Sequence, residues 1–182
     1  MPLKNRAMIL GGIDAGKTTL KEVLFGRERQ PKKIKTQSLI YEDWIVDTPG
    51  EYTENPLHYR SIMATSLEIT HVLFVQDATN EKTIFAPGFS LGINKLPIGV
   101  VTKADASEAN IEQAISLLKK AIVKGPIVIT SAYTGEGIDI IPALVRCQSL
   151  DEMKAYAASH QSENLIFHEN AKVRRQQSRK EE

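Results

Sequence analysis

Apolar runs alternate with amphipathic stretches along most of this chain. Six of the runs have the length of strands, and several of these are continuous in Val, Ile and Leu; the six cover residues 6–10, 38–41, 44–47, 71–76, 98–102 and 127–130. Continuous apolar runs are typical of strands that are buried on both faces of a mainly parallel sheet. We therefore expect most of these strands to lie inside one sheet that is covered by helices.

The stretches between the strands favour helices. They cover residues 17–25, 56–67, a short piece near 87–91, 107–123 and 137–146. The fourth carries one apolar stripe at helical spacing, and Ser107 with Asn110 offers capping side chains at its start. Alternating strands and helices predict an α/β fold with a doubly wound, three-layer architecture. Because only Glu42 and Asp43 separate the second and third strands, we expect a hairpin there, and hence a mostly parallel six-stranded sheet with one antiparallel edge strand.

Length and composition indicate one domain with an appendage. The 182 residues carry a net charge of +1, so no overall field favours nucleic acid or a membrane surface as a partner. The single cysteine, Cys147, fits a reducing cytoplasm, and no apolar run has the length of a membrane span. Residues 1–6 lead directly into the first strand, so we expect no signal peptide. We expect a domain over residues 1–148 and a polar, helical or flexible extension over 149–182, with a helix near 150–160.

A phosphate-binding loop follows the first strand and precedes the first helix. Its pattern is G-x-x-x-x-G-K-T, whose backbone amides curl around a phosphate chain at the N-terminus of a helix. The lysine neutralises the outer phosphates and the threonine hydroxyl binds magnesium. The predicted nucleotide-binding residues here are Gly11, Gly12, Ile13, Asp14, Ala15, Gly16, Lys17, Thr18 and Thr19.

Two further segments complete the phosphate side of the predicted site. Asp47 and Gly50 end the third strand, where a carboxylate can hold Mg²⁺ and the Gly50 amide can detect the terminal phosphate. Thr36 lies in the loop 26–37, where a threonine hydroxyl can bind magnesium only while the triphosphate is present. We predict Thr18, Thr36 and Asp47 as the magnesium ligands, with Lys17 and Gly50 among the catalytic residues.

Two segments at the ends of later strands are suited to recognising the base of a nucleotide. Thr102, Lys103 and Asp105 form a T-K-x-D pattern, in which the carboxylate accepts from guanine's ring N–H and exocyclic amine. Adenine lacks that pair of donors, which would leave Asp105 unpaired at a cost of about 1–3 kcal/mol. Ser131 and Ala132 follow the sixth strand, and the Ala132 amide can donate to the guanine carbonyl.

The ordered set of these motifs resembles the Ras-like small GTPases over residues 6–148. Three segments look more narrowly like the EutP/PduV family. They are residues 35–37, the stretch 47–52 with Asn55, Pro56 and Tyr59, and the 102–105 box. Those are small P-loop proteins of ethanolamine and propanediol utilisation, whose enzymes sit in bacterial microcompartments. The resemblance implies a cytoplasmic protein associated with a microcompartment, with a shell protein or pathway enzyme as its partner.

The residue after Gly50 departs from the Ras-like pattern. Glu51 stands where that family has a glutamine that orients water, and an ionised carboxylate there repels the charge that catalysis must neutralise. No arginine finger can be assigned in the chain itself, so we expect slow GTP hydrolysis with Glu51 at the catalytic position. In potassium-activated GTPases an asparagine occupies the loop position of Asp14, so Asp14 is a candidate potassium ligand; an exposed turn residue is the alternative.

Three function classes remain open from the sequence. The first is a GTP- and GDP-binding hydrolase that acts as a switch or assembly factor with Mg²⁺. The second is an ATP-dependent small-molecule phosphotransferase, such as an acetate kinase of the same metabolism. The third is a structural microcompartment component that binds nucleotide without turnover.

Overall fold

The computed structural model describes residues 5–28 and 36–170. Part of the loop 26–37 that we expect to respond to a triphosphate, residues 29–35, therefore lies outside the described residues. The same holds for the end of the extension, residues 171–182. Within the described ranges no helix combines the length and the apolar character that crossing a membrane requires.

Seven strands of the described chain form one sheet in the order β2-β3-β1-β4-β5-β6-β7. Neighbouring strands are parallel from β3 to β6, whereas β2 and β7 run antiparallel at the two edges. The strands are β1 (Ala7–Gly11), β2 (Ile40–Glu42), β3 (Ile45–Asp47), β4 (His71–Asp77), β5 (Leu96–Thr102), β6 (Lys124–Ile129) and β7 (Leu165–Glu169).

The helices cover both faces of this sheet, so the predicted three-layer α/β class is confirmed. They are α1 (Lys17–Leu24), α2 (Gly50–Glu54), α3 (Tyr59–Ser66), α4 (Ile111–Ala121), α5 (Ile140–Arg146) and α6 (Leu150–His160), with short 3₁₀ helices at Pro56–His58 and Phe89–Gly92. Alternate residues of β1 face opposite sides, as the two-residue period of a strand requires. Ala7 and Ile9 belong to the core that contains Leu20 and Ile141, and Met8 and Leu10 to the core that contains Ile62 and Leu118.

Each predicted strand occurs, and the predicted hairpin is the antiparallel β2–β3 pair, in which Tyr41 lies opposite Val46. The predicted count of six strands and one antiparallel edge is corrected to seven strands with an antiparallel strand at each edge. Leu165 lies opposite Val128 and Ile166 opposite Ile127 in the additional pair. The apolar triplet 165–167 was too short to stand out in a polar tail, but it covers an edge of β6 that would otherwise be unpaired.

Two predicted helices begin or divide elsewhere than expected. The predicted helix 56–67 is α3 preceded by a 3₁₀ turn, and α2 ends just before Asn55 and Pro56, as proline disfavours helix at the preceding residue. Asn55 caps the turn, since its side chain accepts a hydrogen bond of 3.0 Å from the Leu57 amide. The predicted helix 107–123 begins as α4 at Ile111, because Asn110 and not Ser107 accepts from the Gln113 amide, at 3.0 Å.

Much of the described extension packs onto the sheet. Met153 of α6 is fully buried and shares a core with Leu165 of β7 and Ile9 of β1. Ser149 caps the start of α6, since its Oγ accepts a hydrogen bond of 3.2 Å from the Glu152 amide. Lys124 and Lys154 both approach the Glu169 carboxylate, at 3.2 and 3.3 Å. The α6–β7 unit therefore shares its apolar core with the central strands β1 and β5.

We expect Met153→Ala to lower the free energy of unfolding of the whole protein by about 2–4 kcal/mol, because it leaves a cavity in a shared core. Urea denaturation followed by circular dichroism should show one shifted cooperative transition. The exposed residue Glu163 supplies the matched control, since Glu163→Ala should change stability by less than about 0.5 kcal/mol. A separate early transition of the extension, with the main transition unshifted, would contradict the shared core.

Candidate functional site

The loop from Gly11 to Thr18 curls at the carboxyl end of β1 and enters α1. Gly16 has φ 90° and Asp14 has φ 59°, so both lie in the left-handed region that shapes a tight loop. A side chain at Gly11 would place its Cβ 3.0 Å from the Val75 carbonyl oxygen on the neighbouring strand. The loop is therefore closely packed against β4.

Lys17 folds back over this loop. Its ammonium donates to the carbonyl oxygens of Gly11 and Gly12, at 2.9 and 2.6 Å. Burial lowers the pKa of Lys17, and the carboxylates of Asp47 and Glu54 oppose that effect. A buried ammonium held by two neutral carbonyls is poorly compensated. It is suited to exchange those bonds for the oxygens of an anion.

The three predicted magnesium ligands lie together. The Oγ1 atoms of Thr18 and Thr36 are 2.9 Å apart and donate to Oδ2 of Asp47 at 3.3 and 3.1 Å. Asp47 is fully buried, and its Oδ1 has no hydrogen-bond partner among the described residues. Burial raises the pKa of Asp47, while Lys21 and the Thr36 hydroxyl lower it. Hard oxygen donors with an uncompensated carboxylate atom fit a divalent cation such as Mg²⁺.

Lys21 is a charged neighbour of this cluster that sequence reasoning missed. Its side chain is 6% exposed, and its Nζ lies 3.7 Å from Oδ2 of Asp47. The same ammonium lies 3.6 Å from the carboxylates of Glu22 and Glu42. Lys21 follows Lys17 by one helical turn, so the i, i+4 spacing places both on one face of α1 and could have identified it.

The segment after β3 packs over the loop. The Thr48 hydroxyl donates to the Ile9 carbonyl at 2.6 Å, which ties the segment to β1. A Cβ on Gly50 would lie 2.8 Å from the Ile13 Cα, so only glycine allows this approach. Glu51 is exposed in the first turn of α2, whereas Glu54 accepts a hydrogen bond of 2.8 Å from the Ile13 amide. The carboxylate that contacts the phosphate loop is thus Glu54, which the sequence analysis did not single out.

The T-K-x-D segment sits beside the other side of the loop. The Thr102 hydroxyl donates to the Ala15 carbonyl at 2.7 Å, so the end of β5 is tied to the phosphate loop. Lys103 has φ 58°, and its ammonium donates to the Asp14 carbonyl at 3.0 Å and pairs with the Asp77 carboxylate. The lysine stem therefore crosses from β5 towards the loop.

Asp105 and Ser131 are brought together from different strands. The buried Ser131 hydroxyl donates to Oδ1 of Asp105 at 2.6 Å and accepts from the amides of Tyr133 and Thr134 at 3.1 Å. The three bonds fix the serine and, through it, one carboxylate oxygen of the exposed Asp105. Ala132 is half-buried in the same turn. The sequence predicted both segments, but not that the serine would orient the carboxylate.

The remaining predicted site residues, Asp14 and Thr19, lie on the solvent-exposed side of the candidate site. Asp14 and Thr19 are exposed, and the Asp14 carbonyl rather than its carboxylate makes the contact to Lys103. In the part of the chain that the structure describes, no group of three or more His, Cys, Asp and Glu side chains could hold a metal. The candidate cation site instead combines one carboxylate with two hydroxyls.

The sequence matches the protein family described as "Ethanolamine utilisation - propanediol utilisation" (PduV-EutP) over residues 4–147. The chain is also similar to the "Propanediol utilization protein PduV" of Citrobacter freundii, with 34% identity over 137 residues, or 74% of this chain and 88% of that protein. It is 30% identical over 115 residues to the "Probable acetate kinase EutP" of Escherichia coli (strain K12), covering 62% of this chain and 71% of that protein. The same identity over 124 residues, 67% of this chain and 77% of the relative, relates it to the protein of that name from Salmonella typhimurium.

We expect Asp47→Asn to leave the free energy of unfolding within about 1 kcal/mol of wild type, or to raise it, when no divalent cation is present. Because the pKa of Asp47 is raised by burial, its unfavourable contribution is absent below its unfolded pKa and grows as pH rises through its folded pKa. The stability of the variant relative to wild type should therefore increase with pH.

Urea denaturation across that pH range measures this difference. The exposed carboxylate Asp139 provides the control, because Asp139→Asn should show no such pH dependence. A loss of more than about 2 kcal/mol in Asp47→Asn at every pH would mean that the carboxylate is an ordinary, fully compensated structural group.

Proposed function

Because the chain belongs to the PduV-EutP family of ethanolamine and propanediol utilisation, we propose that it is a guanine-nucleotide-binding P-loop GTPase of that metabolism. It binds GTP and GDP with Mg²⁺, hydrolyses GTP slowly, and acts as a switch or assembly factor for a protein partner. That partner is a microcompartment shell protein or a pathway enzyme, and the protein works in the cytoplasm beside the microcompartment.

The observation that carries the proposal is the Asp105 carboxylate held by Ser131 next to the phosphate loop. One oxygen takes the serine hydroxyl, and the carboxylate retains acceptor capacity for the two neighbouring donors of a guanine edge. The Lys103 stem, fixed at its end by the Asp14 carbonyl, covers the base. Adenine offers no matching pair of donors, so this arrangement favours guanine over adenine.

The phosphate side supports a triphosphate with a metal ion. Lys17 would exchange its two carbonyl contacts for phosphate oxygens, and Thr18, Thr36 and Asp47, which already lie together, would hold Mg²⁺. The ion, when bound, neutralises phosphate charge and orients the terminal group. The Gly50 amide lies at the Ile13 side of the loop, where a terminal phosphate would be detected. Asp14 is the residue we propose for a K⁺ ion beside the phosphates.

The slow rate follows from the residue after Gly50. An exposed Glu51 carboxylate supplies negative charge near the terminal phosphate and no neutral amide to orient water. The partner would then accelerate turnover by supplying a cation or by displacing this carboxylate. A slow intrinsic rate suits a switch, because the triphosphate state persists until the partner acts.

Phosphoryl transfer to a small carboxylate is the second candidate function. The relatives from Escherichia coli and Salmonella typhimurium bear the name "Probable acetate kinase EutP". The Ile13 amide of this chain already binds a carboxylate, that of Glu54. An acetate molecule in that position would lie near the phosphate end of the site. In this alternative the Lys103–Asp105 arrangement contributes little to the choice of nucleotide.

A competition experiment separates the candidates. Displacement of a fluorescent guanine nucleotide by GTP, GDP and ATP with Mg²⁺ should show guanine preferred over adenine by about 5- to 150-fold, because an acceptor left unpaired against the base costs about 1–3 kcal/mol. Product analysis should give GDP and phosphate at a rate that acetate does not change. Acetyl phosphate formed from ATP and acetate would favour the phosphotransferase. Nucleotide binding with no turnover under either condition would indicate a structural component.

Asp105→Asn should weaken GTP binding by about tenfold or more and improve binding of xanthosine triphosphate. The amide donates to the xanthine carbonyl, which the carboxylate cannot do. Calorimetric titration with both nucleotides measures the exchange of preference, and Asp139→Asn serves as an exposed control. An equal loss for both nucleotides would remove Asp105 from base recognition.

A further inference from the structure

Glu54 lies outside the phosphate loop and accepts a hydrogen bond from one of the loop's backbone amides. It is the last residue of α2, and its Oε1 accepts the Ile13 amide at 2.8 Å, across 41 residues of sequence. A Cβ on Gly12 would lie 3.3 Å from the same oxygen, so the carboxylate lies directly over the start of the loop. Its charge also acts on the Lys17 ammonium, opposing the effect of burial on the lysine pKa.

The donor that Glu54 takes lies at the terminal-phosphate end of the proposed site. The Ile13 backbone abuts Gly50, the residue proposed to detect the terminal phosphate. The Lys17 ammonium, which serves the outer phosphates, is bound to the adjacent Gly12 carbonyl. A carboxylate oxygen and a phosphate oxygen both seek this amide, and their negative charges repel each other.

We propose that Glu54 sets the selectivity of the site between triphosphate and diphosphate, by competing with the terminal phosphate for the Ile13 amide. This inference rests on the proposed nucleotide-binding function. A diphosphate leaves the Glu54–Ile13 bond in place, whereas a triphosphate must break it and displace the carboxylate into solvent.

The test compares three probes on wild type, Glu54→Gln and Glu54→Ala: GDP, a non-hydrolysable GTP analogue, and inorganic triphosphate, all with Mg²⁺. Calorimetric titration should show the analogue and inorganic triphosphate binding about 3- to 10-fold more tightly to Glu54→Gln, since a partly solvated charge is removed from the phosphate position. The gain should be at least as large for Glu54→Ala, and GDP affinity should change by less than about twofold. Glu68→Gln removes an exposed carboxylate beyond α3 and should change none of the three affinities.

The outcomes separate this inference from the function on which it rests. Tight GTP-analogue binding by wild type, with an unchanged triphosphate-to-diphosphate ratio in both Glu54 variants, overturns the competition and leaves the proposed function standing. Equal gains for GDP and the analogue also overturn it, because they indicate a general charge effect. Failure of wild type and both variants to bind any of the three probes overturns both proposals. Because Glu54 is exposed, both variants should fold, and urea denaturation should show cooperative transitions like that of wild type.

Discussion

The buried carboxylate of Asp47 is the constraint around which the candidate site is organised. It ends β3 inside the sheet, where a negative charge loses its hydration. Two threonine hydroxyls and the Lys21 ammonium compensate Oδ2, but Oδ1 has no partner in the described chain. Burial raises the pKa of the group despite these partners, in line with the unpartnered Oδ1. A divalent cation that bound to the unpartnered oxygen would recover part of the free energy lost in burying this charge.

The parallel sheet makes this concentration of charge possible. Because the carboxyl ends of β1, β3, β5 and β6 lie along one edge, residues distant in sequence meet there without long loops. The Thr102 hydroxyl joins β5 to the phosphate loop, and the Ser131 hydroxyl joins the end of β6 to Asp105. Thr36 and Glu54 reach the same region from segments outside the parallel strands. Under the proposed function, these two contacts and the Lys17 bonds to the loop carbonyls are the ones that a triphosphate would rearrange.

The parts that could be predicted from sequence are those with short-range signals. The phosphate loop, Asp47, and the 102–105 segment are patterns at fixed spacing after apolar strands, and the structure brings them together. Lys21 carries a helical-spacing signal that was missed. Glu54 could not be found this way, because its contact with Ile13 depends on how α2 folds over the loop. The β7 strand was not predicted for a similar reason: its three apolar residues favour a strand only because the edge of β6 is available to pair with them.

The central claim is that Asp47 and the two threonines bind a metal ion together with a guanine triphosphate. The direct measurement is the affinity of the wild-type protein for GTP and GDP with Mg²⁺ and with the metal chelated. Chelation should weaken GTP binding by about tenfold or more and GDP binding less, and Asp47→Asn should remove most of the difference. GTP affinity that is the same with and without Mg²⁺ would contradict the claim.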